Sequence, residues 1–92
     1  PFLAELSIIL GAIQLLEQGL SNDAIRSLQP IALGSGSWQY LGREIMALSR
    51  IQAGELQEAS KLLVSLTDDP TSPASIRTRA RKVLATIHGN SD

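Results

Sequence analysis

The residues of this chain whose types could support catalysis are few. Its 92 residues include no cysteine, a single imidazole at His88 near the carboxyl end, and no glycine-rich phosphate loop before a helix. Catalytic and metal sites need several such groups at suitable spacing, so the sequence predicts no enzyme, no cofactor and no metal site. We expect His88 to act as a cation at a helix end or to be solvated.

The basic residues are concentrated in one segment. Half of the eight lie close together, at Arg77, Arg79, Arg81 and Lys82. Residues 77 and 81 share one helix face, whereas 79 and 82 lie on others. We therefore expect these cations on the solvated side of the last helix, or paired with Glu44, Asp68 or Asp69. A helix that binds an anionic surface is the minor alternative.

The overall charge also argues against nucleic acid as a partner. The formal net charge is -1 and the isoelectric point is near 5.8. The chain has no overall basic field to attract a polyanion, so we predict a protein partner. Trp38 and Tyr40 either fill the joint between two repeats or anchor a ligand, and we favour the joint.

The spacing of apolar residues along the chain predicts helices. Leucine, isoleucine and alanine are abundant and aromatic residues are only 3% of the chain, a composition that favours helices over strands. Apolar residues at spacings of three and four predict one hairpin over about 2–33, a second over about 38–67 and a last helix over about 73–88. Ser21 and Ser72 are expected to cap the helices that follow them. No apolar run is long enough to span a membrane, so we expect no membrane contact by this fragment itself.

Small residues recur at a fixed interval that pairs the two hairpins. Three pairs are each separated by 35 residues: Gly19 and Gly54, Ala24 and Ala59, and Ala12 and Ala47. An interval near 34 residues, with two helices per unit, is the period of tetratricopeptide repeats. The sequence thus predicts a single all-α domain over 1–92: two tetratricopeptide-like hairpins and a C-terminal capping helix, five helices in a right-handed superhelix. We expect Ala12 to meet Ala24, and Ala47 to meet Ala59, where the helices cross.

Comparison of the two hairpins also argues against a second possible starting point of the repeat. Trp38, Leu41 and Gly42 match the opening W-x2-L-G of a tetratricopeptide repeat. Counting on from Trp38 would place Gly54 where the second-helix alanine belongs and Glu58 at the next aromatic position. The register that recurs after 35 residues is therefore preferred.

A series of short motifs carries a resemblance to a known family. The run from Ile45 to Leu66 contains an Ala-Gly-Glu turn followed by Glu58-Ala59, and Asp69-Pro70, Pro73 and Arg77-x-Arg79-Ala80 come after it. This order resembles the YfgM-like tetratricopeptide domain of bacterial ancillary SecYEG translocon subunits and their relatives. The resemblance implies one N-terminal membrane helix, a periplasmic repeat domain and protein contacts during export. Because the chain begins at Pro1, we expect it to be part of a longer protein.

The resemblance also implies a binding surface. In tetratricopeptide proteins the first helices of the repeats line the concave surface, and the register places six residues there: Ile9, Ile13, Leu41, Glu44, Leu48 and Gln52. Most are apolar, and the first helix is apolar on two sides, so we expect this surface to be covered. Preceding helices, a partner helix or a second copy in a homodimer could cover it. The expected function is an interaction module, or alternatively the structural cap of a longer scaffold.

Overall fold

The computed structural model describes residues 1–89, and these form five α-helices. They are α1 (Phe2–Glu17), α2 (Ser21–Ala32), α3 (Gln39–Gln52), α4 (Leu56–Asp68) and α5 (Ala74–Gly89). The described residues contain no strand. The predicted all-α fold of helical hairpins is therefore confirmed.

The same turn closes both hairpins. Gly19 and Gly54 adopt φ angles of 78° and 83°, in the left-handed region that glycine enters without a steric penalty. After each of them the chain makes the same backbone bond: Leu20 N–H donates to the Leu15 carbonyl at 2.8 Å, and Glu55 N–H donates to the Arg50 carbonyl at 2.8 Å. This six-to-one bond is the Schellman motif that ends many helices. The backbone conformation of this turn thus repeats after the same 35 residues as the sequence pattern.

The starts of the helices differ from the expectation. Ser21 is already the first residue of α2, the capping position is Leu20, and no side chain caps this helix. Ser72 lies before α5 but is buried, and its hydroxyl has no hydrogen-bond partner. The first correction follows from the tight turn at Gly19, after which Leu20 already occupies the capping position and Ser21 lies within the helix.

The helices form two layers. Each helix contacts the next one along the chain, and α3 also contacts both α1 and α5. Among the described residues the backbones of α2 and α4 do not come close together. Hence α1, α3 and α5 form one layer, and α2 and α4 lie apart from each other in the second.

A continuous apolar core joins the layers. One cluster is centred on Ile9, Leu28 and Met46, and the other on Leu63, Leu66 and Ala80. Leu41 and Leu62 pack against both clusters. The four alanines of the repeat are all at most 1% exposed: Ala12, Ala24, Ala47 and Ala59. Such burial is what close helix crossings require, and the pairing of particular alanines stays a prediction.

Candidate interaction surface

One side of α1 packs on the core, and the opposite side is apolar and exposed. Ile9 and Ala12 are buried beneath the helix. On the other side Leu3 is 74% exposed, Leu10 55% and Ile8 39%. We call the outward set the α1 face, and it comprises Leu3, Ala4, Ser7, Ile8, Leu10 and Gly11.

The small residues of the α1 face form its centre. At 3.6 residues per turn Ala4, Ser7 and Gly11 follow one line along the helix, with Leu3 and Leu10 on one flank and Ile8 on the other. A Cβ added to Gly11 would meet no atom within 4 Å. The centre line is therefore open, and another helix could approach it closely.

Charged side chains lie outside the α1 face. The Glu5 carboxylate lies against the loop after α2. Its Oε1 would be 3.0 Å from a Cβ atom added to Gly36. Glu17 is exposed in the last turn of α1, which has no basic residue. At the other end no side chain caps the helix. The α1 face is thus uncharged, and acidic side chains lie beside it in the first and last turns of the helix, Glu5 and Glu17.

The corresponding face of α3 is covered, which shows how a helix fits there. A step of 35 residues relates Ser7 to Gly42 and Ile8 to Arg43. Gly42 is buried against α2, because a Cβ at this position would lie 2.8 Å from Cγ2 of Ile31. Arg43 Nε donates to the carbonyl of Ala32 at 3.0 Å and so caps the end of α2. No described helix lies on α1 as α2 lies on α3.

Two of the six groove residues named from the resemblance are not available to a partner. Ile9 is 1% exposed and lies in the core. Glu44 is 6% exposed and bound to Arg79. The expectation that these two side chains line an open groove is corrected. The physical reason is that α1, α3 and α5 pack directly on one another and bury the sides that face each other.

The other four groove residues have mixed positions. Ile13 and Leu41 are half-buried and pack against the core. Leu48 is 37% exposed. Gln52 is exposed, and its Nε2 donates to the carbonyl of Leu16 at 2.9 Å, which ties the end of α3 to the end of α1. These residues do not form a continuous apolar groove, whereas the α1 face does form a continuous strip.

An ion pair links α3 with α5, as the basic segment indicated. Arg79 Nε donates to Oε2 of Glu44 at 2.6 Å, and Arg79 Nη2 donates to Oε1 at 2.9 Å. These bonds raise the pKa of the Arg79 guanidinium above its usual value. The pair satisfies a buried carboxylate and fixes α5 against the layer, so we assign it a structural role.

Trp38, the residue before α3, and Tyr40, in its first turn, join α3 to neighbouring segments. The Trp38 ring lies 4.9 Å from that of Phe2, and its Nε1 donates to the Phe2 carbonyl at 3.0 Å. Tyr40 Oη lies 2.5 Å from Oγ1 of Thr71, in the turn before α5. The Thr71 hydroxyl donates its hydrogen to Asp69, so Tyr40 is the donor in the bond between Tyr40 and Thr71. The polar atoms of both aromatic rings therefore have partners within the chain.

Asp69 organises the turn that leads into α5. Its Oδ1 accepts bonds from the Thr71 hydroxyl at 2.5 Å and from the Thr71 backbone N–H at 2.8 Å. The side-chain bond first, and the backbone bond second, lower the pKa of the Asp69 carboxyl below its ordinary value of 3.8. This carboxylate acts as a turn-forming group.

Residues 1–89 were also compared with the requirements of a metal site, a membrane span and a ligand pocket. No group of three histidine or acidic side chains in that range is placed to hold a metal ion. No helix there is long and apolar enough to cross a membrane. A shallow groove of about 330 Å³ lies between α2 and α4, with Leu33, Met46 and Leu62 among its lining residues and Arg50 and Lys61 near them.

Comparison with protein-family models, curated proteins and solved structures finds no match to this chain. The resemblance to the YfgM-like domain therefore stays a prediction that depends on the motifs quoted above.

Proposed function

We propose that this chain is a protein–protein interaction module and that the α1 face is its binding surface. The observation that carries the proposal is the uncharged, exposed strip around Leu3 and Leu10. Burial of apolar surface contributes about 25 cal/mol per Å², so a helix laid on this strip would gain binding energy without desolvating a charge. A strip of this kind is typical of surfaces that take a helix as their partner.

The fold assigned to the module is a pair of tetratricopeptide-like hairpins closed by α5. Support for this assignment comes from the 35-residue interval, from the two matching glycine turns and from the position of α3 between α1 and α5. The outward side of α5 is rich in exposed cations, including Arg81 and Lys82, as expected for a helix that ends an array.

For the cellular setting we propose the periplasmic side of the bacterial inner membrane. There the module would belong to a membrane-anchored protein that associates with export or envelope protein assembly. This setting rests on the family resemblance alone. A single introduced cysteine at exposed Thr78 provides a test, because the chain has none of its own. In intact spheroplasts we expect a membrane-impermeant maleimide to label it, and labelling only after lysis would contradict the proposed location.

Photocrosslinking in cells tests the proposed binding surface. A photoreactive amino acid would replace Leu10 in the full-length protein, and Val64, an exposed residue of α4, would be the matched control. We expect crosslinks at position 10 to an export component, a chaperone or another copy, and few at position 64. Equal or absent crosslinking at the two positions would refute the role of the α1 face.

A second candidate function is that of a structural cap on a longer helical scaffold. It is favoured by the way α2 covers the corresponding face of α3, because a helix of a preceding repeat would fit on α1 in the same way. The substitution Leu10→Glu separates the two functions. It should destabilise the full-length scaffold, whereas an interaction module should unfold at an unchanged denaturant concentration and lose only its partner.

A further inference from the structure

The charged side chains beside the α1 face indicate which kind of helix fits it. We propose that the α1 face binds a basic amphipathic helix, whose apolar stripe lies on Leu10 and whose lysine or arginine side chains lie near Glu5 and Glu17. This inference rests on the proposed function and names the chemistry of the partner. It depends on the repeat of the fold and on the unpaired carboxylates of α1.

The repeat shows that a helix fits on the α1 face. Leu10, Ile45 and Ala80 hold the same position in α1, α3 and α5, each 35 residues from the next. Ile45 and Ala80 are only 8% and 0% exposed, because the preceding helices, α2 and α4, pack there. Leu10 is 55% exposed. A helix laid on α1 as α2 lies on α3 would therefore bury Leu10.

One difference between α1 and α3 concerns where the overlying helix ends. On α3 the overlying helix is α2, which ends at Ala32, and Arg43 Nε donates to the Ala32 carbonyl. The step of 35 residues places Ile8 at the position of Arg43. Ile8 has no donor for a free carbonyl at a helix end, but its exposed side chain can contact another apolar one. We therefore expect the partner helix to continue past Ile8.

The charges on α1 are all negative and have no counterpart among residues 1–89. α1 contains Glu5 and Glu17 but no lysine or arginine, and the first basic residue of the sequence is Arg26. The salt bridges of the described chain use four other carboxylates. Basic side chains of a partner would complement Glu5 and Glu17, whereas acidic ones would be repelled.

The positions of the two carboxylates predict the spacing of the partner's basic residues. Glu5 and Glu17 are 12 residues apart in sequence, which is about 18 Å along the helix axis. At 100° per residue they lie on opposite sides of the α1 face, Glu5 toward the Ile8 flank and Glu17 toward the Leu10 flank. The partner therefore needs basic residues about 11–13 positions apart, on either side of an apolar stripe.

Two other occupants complement the α1 face less well. A second copy of α1 would bring two more carboxylates and no cation. A surface of anionic lipids is also negatively charged, so Glu5 and Glu17 would oppose its approach. A basic amphipathic helix is complementary both to the apolar strip and to the carboxylates beside it.

Selection from a phage-displayed library of helical peptides tests the charge preference. The apolar stripe is fixed, and two positions about 12 residues apart vary among lysine, glutamine and glutamate. On the 92-residue chain we expect lysine to be enriched at least about fivefold over glutamate at both positions. On the double variant Glu5→Lys, Glu17→Lys the preference should reverse. The double variant Glu58→Lys, Asp68→Lys is the matched control, because it makes the same charge change at exposed sites of α4 and should keep the lysine preference.

Fluorescence anisotropy of a selected peptide tests where it binds. Leu10→Gln removes apolar surface without adding charge and should weaken binding at least about tenfold. Val64→Gln, on exposed α4, should leave binding unchanged. Raising the salt from about 0.05 M to about 0.5 M should weaken binding, because exposed charges are screened. Circular dichroism confirms that each variant is folded.

Three results would overturn the inference. One is equal enrichment of lysine and glutamate on the unchanged chain. The second is a set of selected peptides whose binding does not depend on Leu10. The third is binding of the chain to vesicles of phosphatidylcholine and phosphatidylglycerol that is lost in Leu10→Gln, because it would assign the α1 face to a lipid surface.

The photocrosslink at position 10 in cells separates this inference from the proposed function. A crosslink to a basic helix of another protein supports both. A crosslink to a protein segment without basic residues overturns the inference and leaves the proposed function in place. A crosslink within the same chain, or none at all, refutes both.

Discussion

Two glycines within helices should respond in opposite ways to substitution by alanine. Gly11 lies in α1 and Gly42 in α3, both within helices. Replacing a glycine in a helix by alanine stabilises a protein by about 0.5–1 kcal/mol, because the unfolded chain has less freedom to lose. This gain applies at both positions. The difference between them comes from what the new methyl group meets.

At Gly42 the methyl group would lie 2.8 Å from Cγ2 of Ile31 and 3.5 Å from the backbone nitrogen of Ala32. Two carbon atoms in ordinary contact are about 3.5–4.0 Å apart, so Ile31 would have to move by roughly 1 Å. Ile31 is 3% exposed and has little room to move. Such overpacking costs about 1–3 kcal/mol, which outweighs the helix gain. We expect Gly42→Ala to destabilise the fold by about 0.5–2 kcal/mol.

Gly11→Ala is the matched control, because a Cβ there meets no atom within 4 Å. We expect it to stabilise the chain by about 0.5–1 kcal/mol. Urea unfolding followed by circular dichroism, at low micromolar concentration to avoid association, measures both effects. Each 1 kcal/mol corresponds to about 4–8 °C in Tm for a domain of this size. If Gly42→Ala were as stabilising as Gly11→Ala, α2 and α3 could not be as close as described.

Three further predictions concern the core, the α5 turn and the ion pair. Ala59→Leu should cost about 1–3 kcal/mol in urea unfolding, because Ala59 is fully buried, and an unchanged midpoint would refute a close crossing there. Thr71→Val should raise the pKa of Asp69, measured by NMR titration, toward its ordinary value of 3.8. Because the folded pKa is lowered, the contribution of Asp69 to stability is present above that value and is lost as the pH falls through the folded pKa; the valine variant should show less of this loss. Arg79→Ala should lower the free energy of unfolding in urea by about 2 kcal/mol. This is less than the usual cost of breaking a buried pair, because the Arg79 side chain is 51% exposed. Replacing both Arg79 and Glu44 by leucine should cost less than Arg79→Ala.

The repeat could be predicted from sequence because its determinants are local. A chain that must reverse direction within a few residues uses a left-handed residue, and glycine is the type that adopts this conformation freely. Gly19 and Gly54 therefore mark the turns in the sequence itself. Ala24 and Ala59 mark positions where we expect no room for a larger side chain, and both are fully buried.

The surface could not be predicted as well, because it depends on how neighbouring helices pack. The register placed Ile9 and Glu44 on an exposed face, yet adjacent helices of the same layer bury them. In the sequence Gly42 stands out only as part of the W-x2-L-G match in the less favoured register. Its close contact with Ile31 becomes visible when α2 and α3 are placed together. A glycine within an amphipathic helix, with no turn after it, was the available signal for such a contact.

The two end helices of this chain differ in a way that folding alone does not require. Both bury one side, α1 through Ile9 and Ala12 and α5 through Ile76 and Ala80. The fold accepts exposed cations on the outer side of α5, so it does not need apolar residues on the outer side of an end helix. An exposed leucine such as Leu3 buries little surface within the chain and contributes little to its stability. The packing of the described helices therefore does not require the α1 face to be apolar, and this is the character expected of a surface on which a further helix lies.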